Sequence, residues 1–92
     1  MEKQDVINKI EAIVATCVNH HDFTMNEATK PDEIVGWDSL SNAMILTAIE
    51  QEFGIKFKFS DMIAWHTIGE LADIIIKKLG WNMYFKINAY LQ

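Results

Sequence analysis

Gly36-Trp37-Asp38-Ser39-Leu40-Ser41-Asn42-Ala43-Met44-Ile45-Leu46-Thr47-Ala48-Ile49-Glu50-Gln51-Glu52-Phe53-Gly54 reads as one helix with both of its ends written out. Asp38 is a natural N-cap, because its carboxylate can accept the orphan N–H groups of a first turn. Gly54 is a natural stop, since glycine enters the left-handed conformation that ends many helices. At about 100° per residue, Leu46, Ile49 and Phe53 share one face, with Ile45 at its edge. Leu40 and Met44 point almost the opposite way. The helix, expected over residues 39–53, is therefore apolar on two sides. One side serves a core, and the other carries Leu40 and Met44 beside the Ser39 hydroxyl.

Upstream, Val6, Ile10, Ile13, Val14 and Cys17 form one stripe of an amphipathic helix over about residues 3–18. Residues 19–37 keep no period and hold the only proline, so they read as a long loop. Phe23, Met25, Ile34 and Val35 are expected to pin that loop to the core. Downstream, Ile55, Phe57 and Phe59 alternate with Lys56 and Lys58, as in a short extended connector. Ser60 or Asp61 then caps a brief helix through Met62, Ile63 and Trp65. Thr67-Ile68-Gly69-Glu70 has the spacing of a capping box. It opens a last helix with the stripe Ile68, Leu71, Ala72, Ile75 and Leu79, with Lys77 and Lys78 in its final turn and Gly80 at its end. The sum is an all-α, four-helix bundle: three longer helices, one short one, and a long loop between the first two.

Ninety-two residues make one domain with a thin core. The net charge is −5, and 13 acidic against 8 basic side chains argue against nucleic acid as a partner. Residues 1–79 hold all 13 acids and 7 of the bases, a net −6; the last 13 residues carry only Lys86. Cys17 is the single cysteine, so an internal disulfide and a cysteine-rich metal site are excluded. No apolar run is long enough to span a bilayer, and no signal segment follows Met1-Glu2-Lys3, so a cytoplasmic location is expected.

WDSL at 37–40, IEQEFGIKF at 49–57 and TIGEL at 67–71, in this helix order, resemble the acyl carrier protein family over about residues 5–79. The resemblance implies that Ser39 receives 4'-phosphopantetheine from coenzyme A, through a phosphopantetheinyl transferase that uses magnesium. It implies that the arm's thiol then carries an acyl group as a thioester between acyl-loading and acyl-transferring enzymes. Asp38 would assist the transferase and its metal, and Leu40 would sit at the base of the arm. Trp37, Leu40, Met44 and Glu50 would meet partner enzymes. The residue chemistry is consistent with this. Phosphoryl transfer to serine needs an exposed hydroxyl, and a helix N-terminus favours the resulting phosphodiester.

Fatty-acid carriers of this type keep acidic residues along the exposed side after the serine. Here Ser41, Asn42 and Met44 stand in those places and Gln51 lies among the later glutamates, which points to a stand-alone carrier of a specialised pathway. The alternative is an unmodified helical interaction module that uses Leu40, Met44 and the tail.

No side chain is assigned a catalytic step. A triad of Ser39 with His66 and an aspartate lacks the G-x-S-x-G elbow and its strand. His20, His21 and Asp22 read as solvated loop residues without a matching ligand set, so no metal site is expected. Cys17 reads as a small core residue. Trp65 is expected to pack the short helix into the bundle, and Trp37 to anchor the loop or shield the arm. In residues 81–92, apolar and polar side chains alternate, a strand signature, while a helical grouping of Trp81, Tyr84, Phe85, Asn88 and Leu91 is poorer. This apolar extension, residues 80–92, is expected to pack on its own domain, a second copy or a partner.

Overall fold

α1, Lys3–Val18, packs against two neighbours, α2 (Ser39–Phe53) and α4 (Ile68–Leu91). A 3-10 turn at Pro31–Glu33 interrupts the loop before α2, and the one-turn helix α3 spans Phe59–Met62. The computed structural model describes the backbone of residues 2–91 and the side chains of residues 2–80. Among the described residues there is no strand, so the all-α expectation holds.

The core follows from the stripes. Val6, Ile7, Ile10 and Val14 of α1 meet Ile45, Leu46 and Ile49 of α2 and Ile68, Leu71, Ala72 and Ile75 of α4. Each fully buried isoleucine or leucine contributes about 1.5–3 kcal/mol relative to exposure, an upper figure because unfolded chains are partly compact. Ile55 and Phe57 close the bottom of the core from the connector. Met25 and Ile34 do the same from the long loop, and Phe23 packs half-buried beside them. Val35 does not pin the loop. It is 80% exposed, because Gly36 turns the chain immediately after it at φ +90 and faces Val18.

Helix ends are set locally. Asn19 ends α1 in the left-handed conformation that Asn tolerates better than most residues. Gly54, at φ +66, ends α2, and the Ile55 N–H closes back on the Glu50 carbonyl at 3.1 Å. The Thr67–Glu70 capping box is formed, with Glu70 N–H on Thr67 Oγ1 at 3.2 Å and Thr67 N–H on the Glu70 carboxylate at 3.0 Å. The long loop then clamps this end of α4. The N–H groups of Ile68 and Gly69 donate to the carbonyls of Thr29 and Glu27, both at 2.9 Å.

Three boundaries differ from expectation. α3 starts at Phe59, earlier than a Ser60 or Asp61 cap allows. Asp61 reaches back to accept the Lys58 N–H at 2.7 Å, which wraps the chain into a turn one step sooner. Phe59 thereby leaves the alternating connector and stands 75% exposed. Trp65 lies beyond α3 rather than within it, yet is buried as expected. Finally, Gly80 does not end α4, whose backbone stays helical to Leu91. A glycine inside a helix costs only about 1 kcal/mol, and a helix satisfies its own backbone groups where no sheet exists for a strand to join. Lys77 and Lys78 are thus mid-helix, and Lys78 pairs with Asp61 at 2.7 Å, tying α3 to α4. The side-chain packing expected for residues 81–92 lies outside the described residues.

Candidate functional site at the start of α2

Asp38 and Ser41 build the end of α2 on which Ser39 stands. The Asp38 carboxylate accepts the Ser41 N–H at 2.9 Å, and the Asp38 N–H donates to Ser41 Oγ at 2.8 Å. The Ser41 hydroxyl has its nearest acceptor, the Gly36 carbonyl, at 2.6 Å. A single hydroxyl therefore locks the turn before the helix to its first turn. These contacts to Ser41, with the Leu40 N–H adding to them, hold the Asp38 carboxyl below the usual carboxylate range.

Ser39 is the first helical residue, exposed, and its hydroxyl makes no hydrogen bond among the described residues. Its neighbours are busy with the cap, and it is left for something else. The first-turn N–H groups also gather there, the arrangement that favours an anionic diester. The residues present therefore fit a phosphate-linked arm on Ser39.

Leu40 is 73% exposed and Met44 half-exposed, one turn apart on the same side. Sequence reasoning missed their companions. Val35, Phe59, Met62 and Ile63 also expose large apolar surface. Val35 and Phe59, expected on the core side of their segments, stand exposed instead. Their signal was negative, since none of the four falls on a helix stripe that the fold uses. Only residues of this exposed kind are available to an apolar interaction surface.

The other expected site residues are anchored inward. Trp37 is half-buried, donates from Nε1 to Asn42 Oδ1 at 2.9 Å, and lies 6.1 Å, ring to ring, from Trp65. Glu50 is half-buried and accepts the Phe57 N–H at 2.8 Å, holding the connector under α2. Ser41 is a correction to the expected exposed side of α2. It is buried, because its side chain belongs to the capping box. The residues exposed over the first turns of α2 are Ser39, Leu40, Ala43, Met44 and Thr47, so the face is neutral and more apolar than expected. Every carboxylate of α2 and its cap has an internal partner: Asp38 with Ser41, Glu50 with Phe57, and Glu52 with Lys9 at 2.9 Å.

The histidines of the loop serve structure. His20 Nε2 lies 2.6 Å from the Val35 carbonyl, and His21 Nε2 3.0 Å from Glu11. Cys17 is half-buried against the core. Among the described residues no cluster of three His, Cys, Asp or Glu side chains is arranged to hold a metal, and no helix is long and apolar enough to cross a membrane.

Comparison with known proteins agrees with the geometry. The family model described as the phosphopantetheine attachment site matches residues 32–75, which include the whole of α2 and its cap. An acyl carrier protein of Thermotoga maritima is 27% identical over 78 residues, covering 85% of this chain and 96% of that protein. The solution structure of a holo acyl carrier protein from Geobacter metallireducens superposes with a TM-score of 0.78 at 24% identity, over 86% of this chain and 91% of the other, and shows the same fold. The attachment-site match, the acyl carrier protein relative and the shared fold support the acyl carrier protein family, whose prosthetic group is 4'-phosphopantetheine. Members of this family are carriers that meet acyl-handling enzymes, not catalysts.

Proposed function

We propose that residues 1–79 are a carrier domain whose 4'-phosphopantetheine is attached to Ser39, and that residues 80–92 are an apolar extension of its last helix. The observation that carries this is the Ser39 hydroxyl: exposed, free of internal hydrogen bonds among the described residues, and fixed at the start of α2 by the Asp38–Ser41 box. A phosphopantetheinyl transferase would use coenzyme A to place the arm there, with Asp38 beside the reacting hydroxyl. That chemistry belongs in the cytoplasm, where coenzyme A is supplied. The bound arm supplies a thiol for thioester formation. The chain's own residues orient it, keep it at the surface and raise the effective concentration of the cargo at each partner.

The partner surface is Leu40 and Met44, widened by Val35, Met62 and Ile63, with Trp37 and Glu50 supporting it from behind. Because α2 offers no unpaired carboxylate along this surface, partners read it through apolar contact and not through an acidic stripe. This supports service to a dedicated pathway in place of bulk fatty-acid synthesis. Two measurements test the reading. Labelled phosphopantetheine, delivered from a coenzyme A analogue, should go onto the wild type and not onto Ser39→Ala. Fatty-acid elongation enzymes should act poorly on the loaded carrier, and efficient elongation would refute the dedicated-pathway assignment.

A further inference from the structure

Phe59 is the exposed apolar residue that the carrier surface leaves unused, and it stands at a basic pole of the molecule. Residues 55–64 and 74–80 hold four lysines, Lys56, Lys58, Lys77 and Lys78, against one acid, Asp61. The other 75 residues hold 12 acids and four lysines, so a net +3 is set against a net −8. Asp61 gathers the pole in space. Its carboxylate takes Lys78 of α4 at 2.7 Å and accepts the Lys58 N–H at 2.7 Å. Lys56 and Lys58 alternate with the buried Ile55 and Phe57, so both lysines point to solvent. Lys77, beside Lys78 on α4, is exposed as well. Asp61 is occupied by Lys78, and Lys56, Lys58 and Lys77 make no ion pair among the described residues. Phe59 opens α3 directly after Lys58. From there α4 continues as helical backbone to Leu91, and no acid follows Asp73.

We infer that this pole docks on an anionic lipid surface, with Lys56, Lys58 and Lys77 at the headgroups, Phe59 inserted among them and the end of α4 along the interface. Charge complementarity selects the occupant. Unpaired lysines in a chain of net −5 gain only against a negative surface, and an anionic leaflet presents one continuously. Composition selects lipid over an acidic protein. Residues 74–92 hold four aromatic residues, Trp81, Tyr84, Phe85 and Tyr90, with three lysines and no acid. Aromatic residues mixed with lysine are what the boundary between headgroups and acyl chains accommodates. A rim of carboxylates on a protein would engage the lysines alone and give the aromatic run no place. The acidic remainder of the chain turns away from the lipid, and salt screens its repulsion beyond about 10 Å at 0.1 M. The dock uses none of Ser39, Leu40 and Met44, which stay assigned to the arm and its partners.

The test is flotation of the full, unmodified chain with two kinds of vesicle: phosphatidylcholine alone, and phosphatidylcholine with a quarter of phosphatidylglycerol. The chain should float with the anionic vesicles at low salt and be released as salt rises. Each lysine near an anionic surface contributes roughly fivefold to binding. Lys56→Gln, Lys58→Gln and Lys77→Gln together should therefore weaken binding on the order of a hundredfold, and neutral vesicles should bind the wild type more weakly by a similar factor. Phe59→Ser should weaken binding about tenfold through lost apolar burial. All four side chains are exposed, so melting should stay close to that of the wild type. No flotation with anionic vesicles at low salt overturns the dock. Equal binding to both kinds of vesicle, unaffected by the lysine substitutions, overturns the role of the basic pole. Binding to polyglutamate without binding to vesicles assigns the pole to an acidic protein and overturns the lipid assignment. A concentration-dependent dimer that does not float assigns it to the acidic side of a second copy, with the same consequence. Binding is read on the unmodified chain, so it stands or falls apart from attachment at Ser39.

Discussion

Ser41 Oγ accepts the Asp38 N–H at 2.8 Å while the Asp38 carboxylate accepts the Ser41 N–H at 2.9 Å, and Ser39 stands between the two with its own hydroxyl unused. The serine that is buried builds the cap, and the serine that is exposed is offered outward. Ser41→Ala should therefore destabilise the fold by about 1 kcal/mol, the usual worth of a cap. For a domain of this size that lowers the melting temperature by roughly 4–8 °C. Ser39→Ala should leave the melt unchanged. Equal losses from the two substitutions would contradict this division of labour.

Acid should weaken the fold through three carboxylates. Asp38 is held below its ordinary value by Ser41, Asp61 by Lys78, and Glu70 by the N–H groups of His66 and Thr67. A depressed folded-state pKa contributes stability that is present above the unfolded value and lost as pH falls through the folded one. The melting temperature should hold steady from pH 8 to about pH 5 and decline below about pH 4, where free carboxylates titrate. Asp61 is the most enclosed of the three, with a side chain 23% exposed against Lys78. Asp61→Asn should flatten part of that decline, and an unchanged pH profile would contradict its role. At the other end, Lys3 is raised by its hydrogen bonds to Glu27 and Asp73, so its contribution persists below the lysine range and fades only above it.

Two glycines of α4 should answer oppositely to alanine. A Cβ at Gly69 would lie 2.9 Å from Glu27 Cβ and 3.0 Å from the Glu27 carbonyl oxygen, so the loop clamp must open. Gly69→Ala should lower the melting temperature despite the better helix propensity of alanine. A Cβ at Gly80 meets nothing within 4 Å. Gly80→Ala should raise stability by about 0.5–1 kcal/mol, as in any helix interior. A loss there would mean that Gly80 ends the helix after all.

Those two glycines also show what was legible in the sequence. The stripes of α1, α2 and α4 and the boxes at residues 38–41 and 67–70 are local patterns, and their consequences are visible in the bundle. Ser39 and its setting were readable for the same reason. Gly80 was misread because a glycine that stops one helix passes through another. The difference lies in φ, which the residue type alone does not specify. Val35 and Phe59 were misread because hydrophobicity does not say which way a side chain points once a turn such as Gly36 or an early α3 intervenes. The loop clamp of Glu27 and Thr29 on α4 is a long-range backbone contact that leaves no residue signature. Ser41 was the avoidable error. Its spacing from Asp38 is that of a capping box, and such a residue faces inward.

Charge on the apolar surface should damage partnership and spare the fold. Leu40→Asp and Met44→Asp alter exposed side chains, so melting should change little. Modification by a transferase or acyl transfer by a cognate partner should fall about tenfold, the equivalent of about 1.4 kcal/mol of lost contact. Full activity of the double variant would remove this surface from the account of recognition.

The most direct measurement is the intact mass of the chain after incubation with coenzyme A, magnesium and a broad-specificity phosphopantetheinyl transferase. The expected result is a gain of one phosphopantetheinyl group, complete in the wild type and lost in Ser39→Ala. No gain in the wild type, or a gain that survives Ser39→Ala, would contradict the attachment of the arm at Ser39.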